Sequence, residues 1–543
     1  MTGARQMPAA QPDGVPRHPY PKLPRICDYV SHYARISPDR EALVLDDRRC
    51  TYLEFDRSVE RTAAALRSAG IRAGDRIAMI TTPRPEFAIL LMAATRVGAI
   101  WVGINPRYTQ SEVDHVLGDC TPSMLFSITQ DPDGRQYRDI VTRCKDRFPF
   151  LDRIVTFPDA LPGLSTDFDG FLAAEGDPPP PRPKVRDADG GVAAAVIVYT
   201  SGTTGKPKGA LLSNDNLVFS FDSVSRSFVG KEHLRENLRT LCNLPANHIG
   251  CISEMVGNTI VCGGTLVFAE RFDAGDTLRL IESERITLFG GVPLMLEAIF
   301  AHHNAAKTDF ASVRIIGWGG APVAATLLET MAALDVHLFT NYGLTEGGAI
   351  CSATPPNPTP DILGNTVGTP GTVQEYRIVG EDGKDVAIGE AGEVWLRGRG
   401  VFLGYWNNPS ATAQTIDTEG WLHTGDLVRQ REDGYWVLAG RKSEMFKSGG
   451  YNVYPREIEL CLEQHPDVAN AVVIAVPDAR FFEVGAAFVV PTPGRTITPS
   501  GLSAHLRESL AAYKVPKSIR ILEALPMLPI GKVDKHALKR MSS

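Results

Sequence analysis

The chain has 543 residues, 43% hydrophobic and 22% charged, usage ordinary for soluble globular proteins and a length that calls for two or more folded units. Fifty-six basic against sixty-three acidic residues give a net charge of −7, and no run of Lys or Arg offers a track for a nucleic-acid backbone. The longest apolar stretch, residues 87–94, is stopped by Arg96, so no integral membrane segment is expected, and the nine scattered cysteines lack metal or redox spacing.

In chain order, residues 1–24 are proline-rich and polar without a secretory apolar core. They read as a flexible tail, with the cytoplasm as the expected compartment. In residues 51–70, Val59, Ala63 and Leu66 recur at helical spacing and Gly70 closes the run, which predicts a helix, followed by a strand at 76–80. Strand-like runs at 194–199, 263–268 and 314–317 alternate with longer helical stretches, the pattern of an α/β fold. Residues 177–183 hold five prolines and read as a stiff linker.

The run Val196 to Tyr199 leads into Thr200-Ser201-Gly202-Thr203-Thr204-Gly205-Lys206-Pro207-Lys208-Gly209. Hydroxyls donate to phosphate oxygens, glycines admit close backbone approach and two ammonium groups neutralise a polyphosphate. The common nucleoside-triphosphatase loop is excluded, because Gly202 and Lys206 are too close and Pro207 stands where Ser or Thr should follow the lysine. Gly398, Gly400 and Gly404 fail as a dinucleotide fingerprint, the last glycine falling one residue late.

Further on, Gly319-Gly320-Ala321-Pro322 and Asn341-Tyr342-Gly343-Leu344-Thr345-Glu346 follow apolar runs and are expected as strand-end turns, where open α/β sheets bind ligands. An aromatic face there can stack on a purine, a hydroxyl can donate to an α-phosphate and a carboxylate can hold magnesium. Trp421-Leu422-His423-Thr424-Gly425-Asp426 ends in a carboxylate able to accept from both ribose hydroxyls, with Arg441 in range to assist. The pattern changes near residues 439–444 to about a hundred residues with strand and helix signals of their own.

Taken together, these motifs resemble, in order and from Leu43 to Leu538, the adenylate-forming enzymes: acyl-CoA synthetases, adenylation domains of non-ribosomal peptide synthetases, and beetle luciferases. The resemblance implies an α/β fold with a large multi-subdomain N-terminal domain (25–440) that binds ATP and acid, and a small mobile C-terminal α+β domain (441–543). It implies an acid–thiol ligase with ATP, magnesium and coenzyme A, forming acyl-AMP and pyrophosphate and then acyl-CoA and AMP. Thr200 to Lys206 with Lys208 would orient the β- and γ-phosphates. Gly320, Ala321, Pro322, Asn341, Tyr342 and Gly343 would flank the adenine, Thr345 would meet the α-phosphate, Glu346 the metal, and Asp426 with Arg441 the ribose. His248 would sit beside the activated carboxylate, in an acid pocket with Trp318, Gly319, Gly343 and Leu344. Lys532 would serve adenylation in one pose of the small domain, and Lys447, Ser448, Gly449 and Gly450 the thiol step in the other, about a hinge at Ser443.

Three residues depart from the family's pattern: Ser443 for Asp or Lys, Asn214 for a histidine, and Leu294 for a second proline. A bulky Trp318 points to a compact aromatic, alicyclic or medium-chain acid if it lines the pocket; an indole packed in the core would carry no such meaning. Alternatives are an enzyme loading a carrier protein and, from another class, a non-catalytic nucleotide sensor. A homodimer is left open.

Overall fold

A computed structural model describes residues 20–173, 193–200, 207–228, 230–320, 323–371, 373–448, 451–527 and 533–542. The helix expected at 51–70 spans Tyr52–Ser68. Thr51 opens it with a capping box, its hydroxyl accepting from the Glu54 N–H while the Glu54 carboxylate accepts from the Thr51 N–H, which satisfies two otherwise orphaned donors. The strand Arg76–Ile80 follows as expected. The apolar stretch around residue 90 forms the helix Pro85–Val97. Its Arg96 is buried and paired with Asp56, so the helix belongs to a protein core, and no described helix is long and apolar enough to cross a membrane.

Among the described residues the strands form four sheets. A nine-stranded sheet carries the parallel neighbours Leu288–Gly291, Ile315–Gly319 and His337–Leu344, flanked by the antiparallel Ala349–Ala353. An eight-stranded sheet is centred on the parallel strands Arg76–Ile80 and Ile100–Ile104 and continues through Ala194–Thr200 to the antiparallel Lys208–Ser213. One large apolar cluster fills the space around these two sheets; a second, containing Ile316, Trp318, Leu327 and Leu363, lies on the other face of the first. Parallel strands covered on both faces lead ligands to their carboxyl ends.

Residues 374–441 add a four-stranded antiparallel sheet that ends at the strand Trp436–Arg441. Beyond it, a five-stranded sheet and the helices Pro455–Glu463 and Pro499–Ser509 build a separate core around Phe446, Ile458, Leu462 and Val489. This small unit rests on the large one through the helix Pro455–Glu463, which packs on Trp436–Arg441. Arg429 faces Glu457 there at 3.5 Å, and Lys535 of the last helix reaches Glu444 at 2.7 Å. All nine cysteines are free, eight of them buried.

Candidate active site

The phosphate-loop motif is flanked by a hairpin. Strands Ala194–Thr200 and Lys208–Ser213 pair with Thr200 opposite Lys208, and His115 Nε2 holds the Pro207 carbonyl at 2.8 Å. Ser201, Gly202, Thr203, Thr204, Gly205 and Lys206 lie outside the described residues. At the hairpin's end the Thr200 hydroxyl is 3.5 Å from Glu346 Oε1, while the Tyr405 hydroxyl donates to the same oxygen at 2.8 Å. Lys208 Nζ sits 4.4 Å over the Tyr405 ring, a cation–π contact that holds its charge beside the carboxylate. Burial first, and the Glu346 charge second, push the Tyr405 phenol above its ordinary range, so it stays a donor.

The segment 341–344 is not the turn expected from sequence. The strand His337–Leu344 runs through it, and the turn comes at Thr345–Gly347. Gly343 reads as a breaker, yet pairing with Ala349–Ala353 through a bulge at Tyr342/Gly343 requires it: a Cβ there would stand 1.6 Å from the Ala349 carbonyl oxygen. Gly319 ends its strand opposite Asn341. Gly320 follows at φ +87°, left-handed backbone that favours glycine; Ala321 and Pro322 lie outside the described residues. Tyr342 is buried, and its hydroxyl donates to Asp426 Oδ2 at 2.8 Å. Arg441 Nε binds the other oxygen, Oδ1, at 2.7 Å. Burial raises the Asp426 pKa, and Arg441 is the largest influence opposing it.

His248 is exposed at the entry to a π-helical segment, Gly250–Gly257, and its Nδ1 accepts from the Gly250 N–H at 3.1 Å. Trp318 is placed elsewhere. Its indole is 1% exposed within the second apolar cluster, on the opposite side of its strand from Gly317 and Gly319, since side chains alternate along a strand. Leu344, Thr345 and Glu346 are brought together with Thr200, Lys208, Tyr342, Asp426 and Arg441 by the contacts above and by the turn.

In the connection to the small unit, Ser443 is exposed. On one side of it Lys442 pairs with Glu393 at 2.9 Å; on the other, Glu444 pairs with Lys535. Lys447 is exposed and Ser448 buried in the strand Phe446–Ser448. Gly449, Gly450 and Lys532 lie outside the described residues.

Sequence reasoning missed Tyr405 and Glu393, which carry no motif. Glu393 Oε1 accepts from the Gly425 N–H at 2.9 Å and so braces the turn before Asp426. A pairing of Gly404–Tyr405 with Lys208–Ser213 brings Tyr405 in, a contact nearly two hundred residues long-range that local pattern does not reveal. Glu254 was missed as well, its burial pushing the carboxyl up to about 7.

The AMP-binding enzyme family matches residues 30–406, and its C-terminal domain matches residues 457–532. A feruloyl-CoA synthase from an Amycolatopsis species is 34% identical over 507 residues, covering 93% of this chain and 97% of its own. An indoleacetate–CoA ligase of Aromatoleum aromaticum is 34% identical over 516 residues, covering 95% and 98%. Among solved structures, an amide bond synthetase from Marinactinospora thermotolerans superposes with a TM-score of 0.82 at 28% identity, covering 95% and 99%. An anthranilate CoA ligase in complex with anthranoyl-AMP gives 0.83 at 25% identity, covering 96% and 98%.

The fold is thus that of an ATP-using acid–thiol ligase. The chain belongs to the AMP-binding enzyme family, in its acyl-CoA synthetase branch.

Proposed function

We propose that this ligase joins a compact aromatic or alicyclic carboxylic acid to coenzyme A in two half-reactions. The observation that carries the reading is the convergence, at the carboxyl ends of the strands Ala194–Thr200 and His337–Leu344, of Thr200, Lys208, Tyr405 and Glu346 with the Tyr342–Asp426–Arg441 group. Cations and hydroxyls for a polyphosphate thereby lie near an aromatic ring and a carboxylate suited to a nucleoside. The names of relatives acting on feruloyl, indoleacetate and anthranilate groups support the acid class.

In the first half-reaction the acid is already ionised at neutral pH, so no general base is needed. Its oxygen attacks the α-phosphorus, and the bond to pyrophosphate breaks with its electron pair. Catalysis reduces to alignment and charge neutralisation. Thr200 and Lys208, with the 201–206 segment, grip the β- and γ-phosphates, and the Thr345 hydroxyl donates at the α-phosphate. Tyr342 and Gly320 flank the purine, and Asp426 and Arg441 serve the ribose. Glu346 fits a magnesium ion: its two hydrogen bonds among the described residues both fall on Oε1, leaving Oε2 for a cation that keeps waters and phosphates as its other ligands. Bound there, magnesium would supply further neutralisation of the phosphates. Lys532 bridges acid and nucleotide.

In the second half-reaction the small domain, 441–543, turns about Ser443 and brings Lys447 to Gly450 to the thiol path. The thiol loses its proton, sulfur attacks the acyl carbonyl and AMP departs. Cytoplasmic ATP and coenzyme A would supply such an enzyme. The test separates the steps in two variants. Lys532→Ala should lose acid-dependent pyrophosphate release by about 10²–10³-fold while converting supplied acyl-adenylate to acyl-CoA; Gly449→Leu should do the reverse. Equal loss of both steps in both variants would sink the two-pose mechanism, and pyrophosphate release with no thioester on coenzyme A would favour a carrier-protein acceptor.

A further inference from the structure

Glu254 lies on the π-helical segment that begins just after His248. Along the continuous helix from Gly250 to Val261, only Glu254 and Asn258 retain partial exposure; every other residue is buried. Positions 250, 254 and 258 recur about once per turn, so they share a face. Gly250, nearest His248, contributes no side chain to that face, and a Cβ there would stand 3.1 Å from His248 Nδ1 and 3.3 Å from the Leu244 side chain. The opposite faces are closed: Ser253 donates to the Leu217 carbonyl at 2.9 Å, and a Cβ on Gly257 would stand 2.4 Å from that same oxygen.

Among the described residues no hydrogen-bond donor or cation meets the Glu254 carboxyl, and burial alone acts on it. On the same face, Asn258 Oδ1 accepts from the Ser220 hydroxyl at 3.1 Å. The helix packs against the strand Ala349–Ala353, where Cys351 feels the Glu254 charge and donates its thiol to the Gly347 carbonyl at 3.7 Å. Gly347 closes the turn that carries Thr345 and Glu346. The carboxyl therefore sits behind that turn, six residues after His248, partly covered by protein yet still reachable.

Keeping an unpaired carboxylate in such a place is costly unless something pairs with it. We propose that the cognate acid carries a hydrogen-bond donor, a hydroxyl or an amine, at the end remote from its carboxylate, and that Glu254 receives it. This rests on the ligase reading above and narrows it. A site built to bind a polar group rejects the analogue lacking it more strongly than an apolar pocket rejects a misfit, because the protein group is then left unpaired. His248 at one end and Glu254 at the other would then set both orientation and length of the acid.

The test is acid-dependent pyrophosphate release on matched pairs: 3-(4-hydroxyphenyl)propanoic against 3-(4-methylphenyl)propanoic acid, and 4-hydroxycyclohexanecarboxylic against 4-methylcyclohexanecarboxylic acid. The wild type should favour the hydroxylated member in kcat/KM by about 10-fold or more in at least one pair. Glu254→Leu should bring that ratio to one or below while keeping its use of the methyl acid, and Glu254→Gln, of nearly the same shape, should retain part of the preference. A wild type that favours the methyl acids, or a ratio unchanged in both variants, overturns the proposal while leaving the ligase reading intact. A wild type that releases no pyrophosphate with any acid, though it binds ATP, overturns the ligase reading and this one with it. Should the leucine variant not fold, the glutamine variant decides: it must lower the ratio.

Discussion

Tyr342 and Asp426, 84 positions apart, are joined by a 2.8 Å hydrogen bond from phenol to carboxylate. The bond ties the strand His337–Leu344 to the strand Leu422–Gln430 of a different sheet. Removing the donor in Tyr342→Phe leaves a buried carboxylate oxygen with one partner fewer. We expect a loss of about 1.5–3 kcal/mol in urea unfolding, and a KM for ATP raised more than kcat is lowered. A variant as stable as the wild type would mean that water or Arg441 replaces the phenol without cost.

Gly343→Ala should be far worse than an ordinary strand substitution. The new Cβ would stand 1.6 Å from the Ala349 oxygen, and the contact is backbone, which cannot swing away. Separation of the two strands is the expected response, with destabilisation of about 3 kcal/mol or more and loss of soluble expression. Gly70→Ala, with open space around its Cβ position but φ +93°, makes a control for backbone strain alone.

Tyr405→Phe removes the 2.8 Å donor from Glu346 while keeping the ring beneath Lys208. Acid-dependent pyrophosphate release should fall by roughly tenfold, the worth of one charge-assisted hydrogen bond, and the magnesium concentration for half-maximal rate should shift. An unchanged magnesium dependence would separate Glu346 from the metal.

Glu254 should make the protein less stable as the solution becomes more alkaline. Its carboxyl titrates near 4.3 in an unfolded chain and at about 7 in the fold. The folded state therefore holds the proton more tightly; its contribution is full below the unfolded value and is lost as pH rises through the folded one. Glu254→Gln removes this dependence. The variant's advantage in unfolding free energy should grow from near zero at pH 4 to on the order of 3 kcal/mol at pH 8. A constant difference across that range would show that the carboxyl is not desolvated.

Much of this architecture was legible in the residues themselves. The Val59, Ala63, Leu66 spacing and the closing Gly70 locate the helix Tyr52–Ser68, and strand-former runs locate Arg76–Ile80 and Ala194–Thr200. The strand through Gly343 was illegible because glycine there answers a demand from Ala349, which chain-local pattern does not contain. Trp318 could not be assigned a side, since a parallel strand covered on both faces shows no polar alternation to fix its phase. At the site, the composition of residues 200–208 is what carries the expectation of a phosphate loop. Tyr405, Glu393 and Glu254 matter through tertiary neighbours alone.

The junction between the two units is fastened by charge. Arg429 with Glu457 spans it, Lys442 grips Glu393 on the near side of Ser443, and Lys535 holds Glu444 on the far side, within the small unit. Such partly exposed pairs weaken as ions gather around them, over a screening distance of about 8 Å at physiological strength. A movement that breaks them is thereby coupled to the ionic composition of its surroundings: dilute buffer favours the docked arrangement, and concentrated salt loosens it without touching either core.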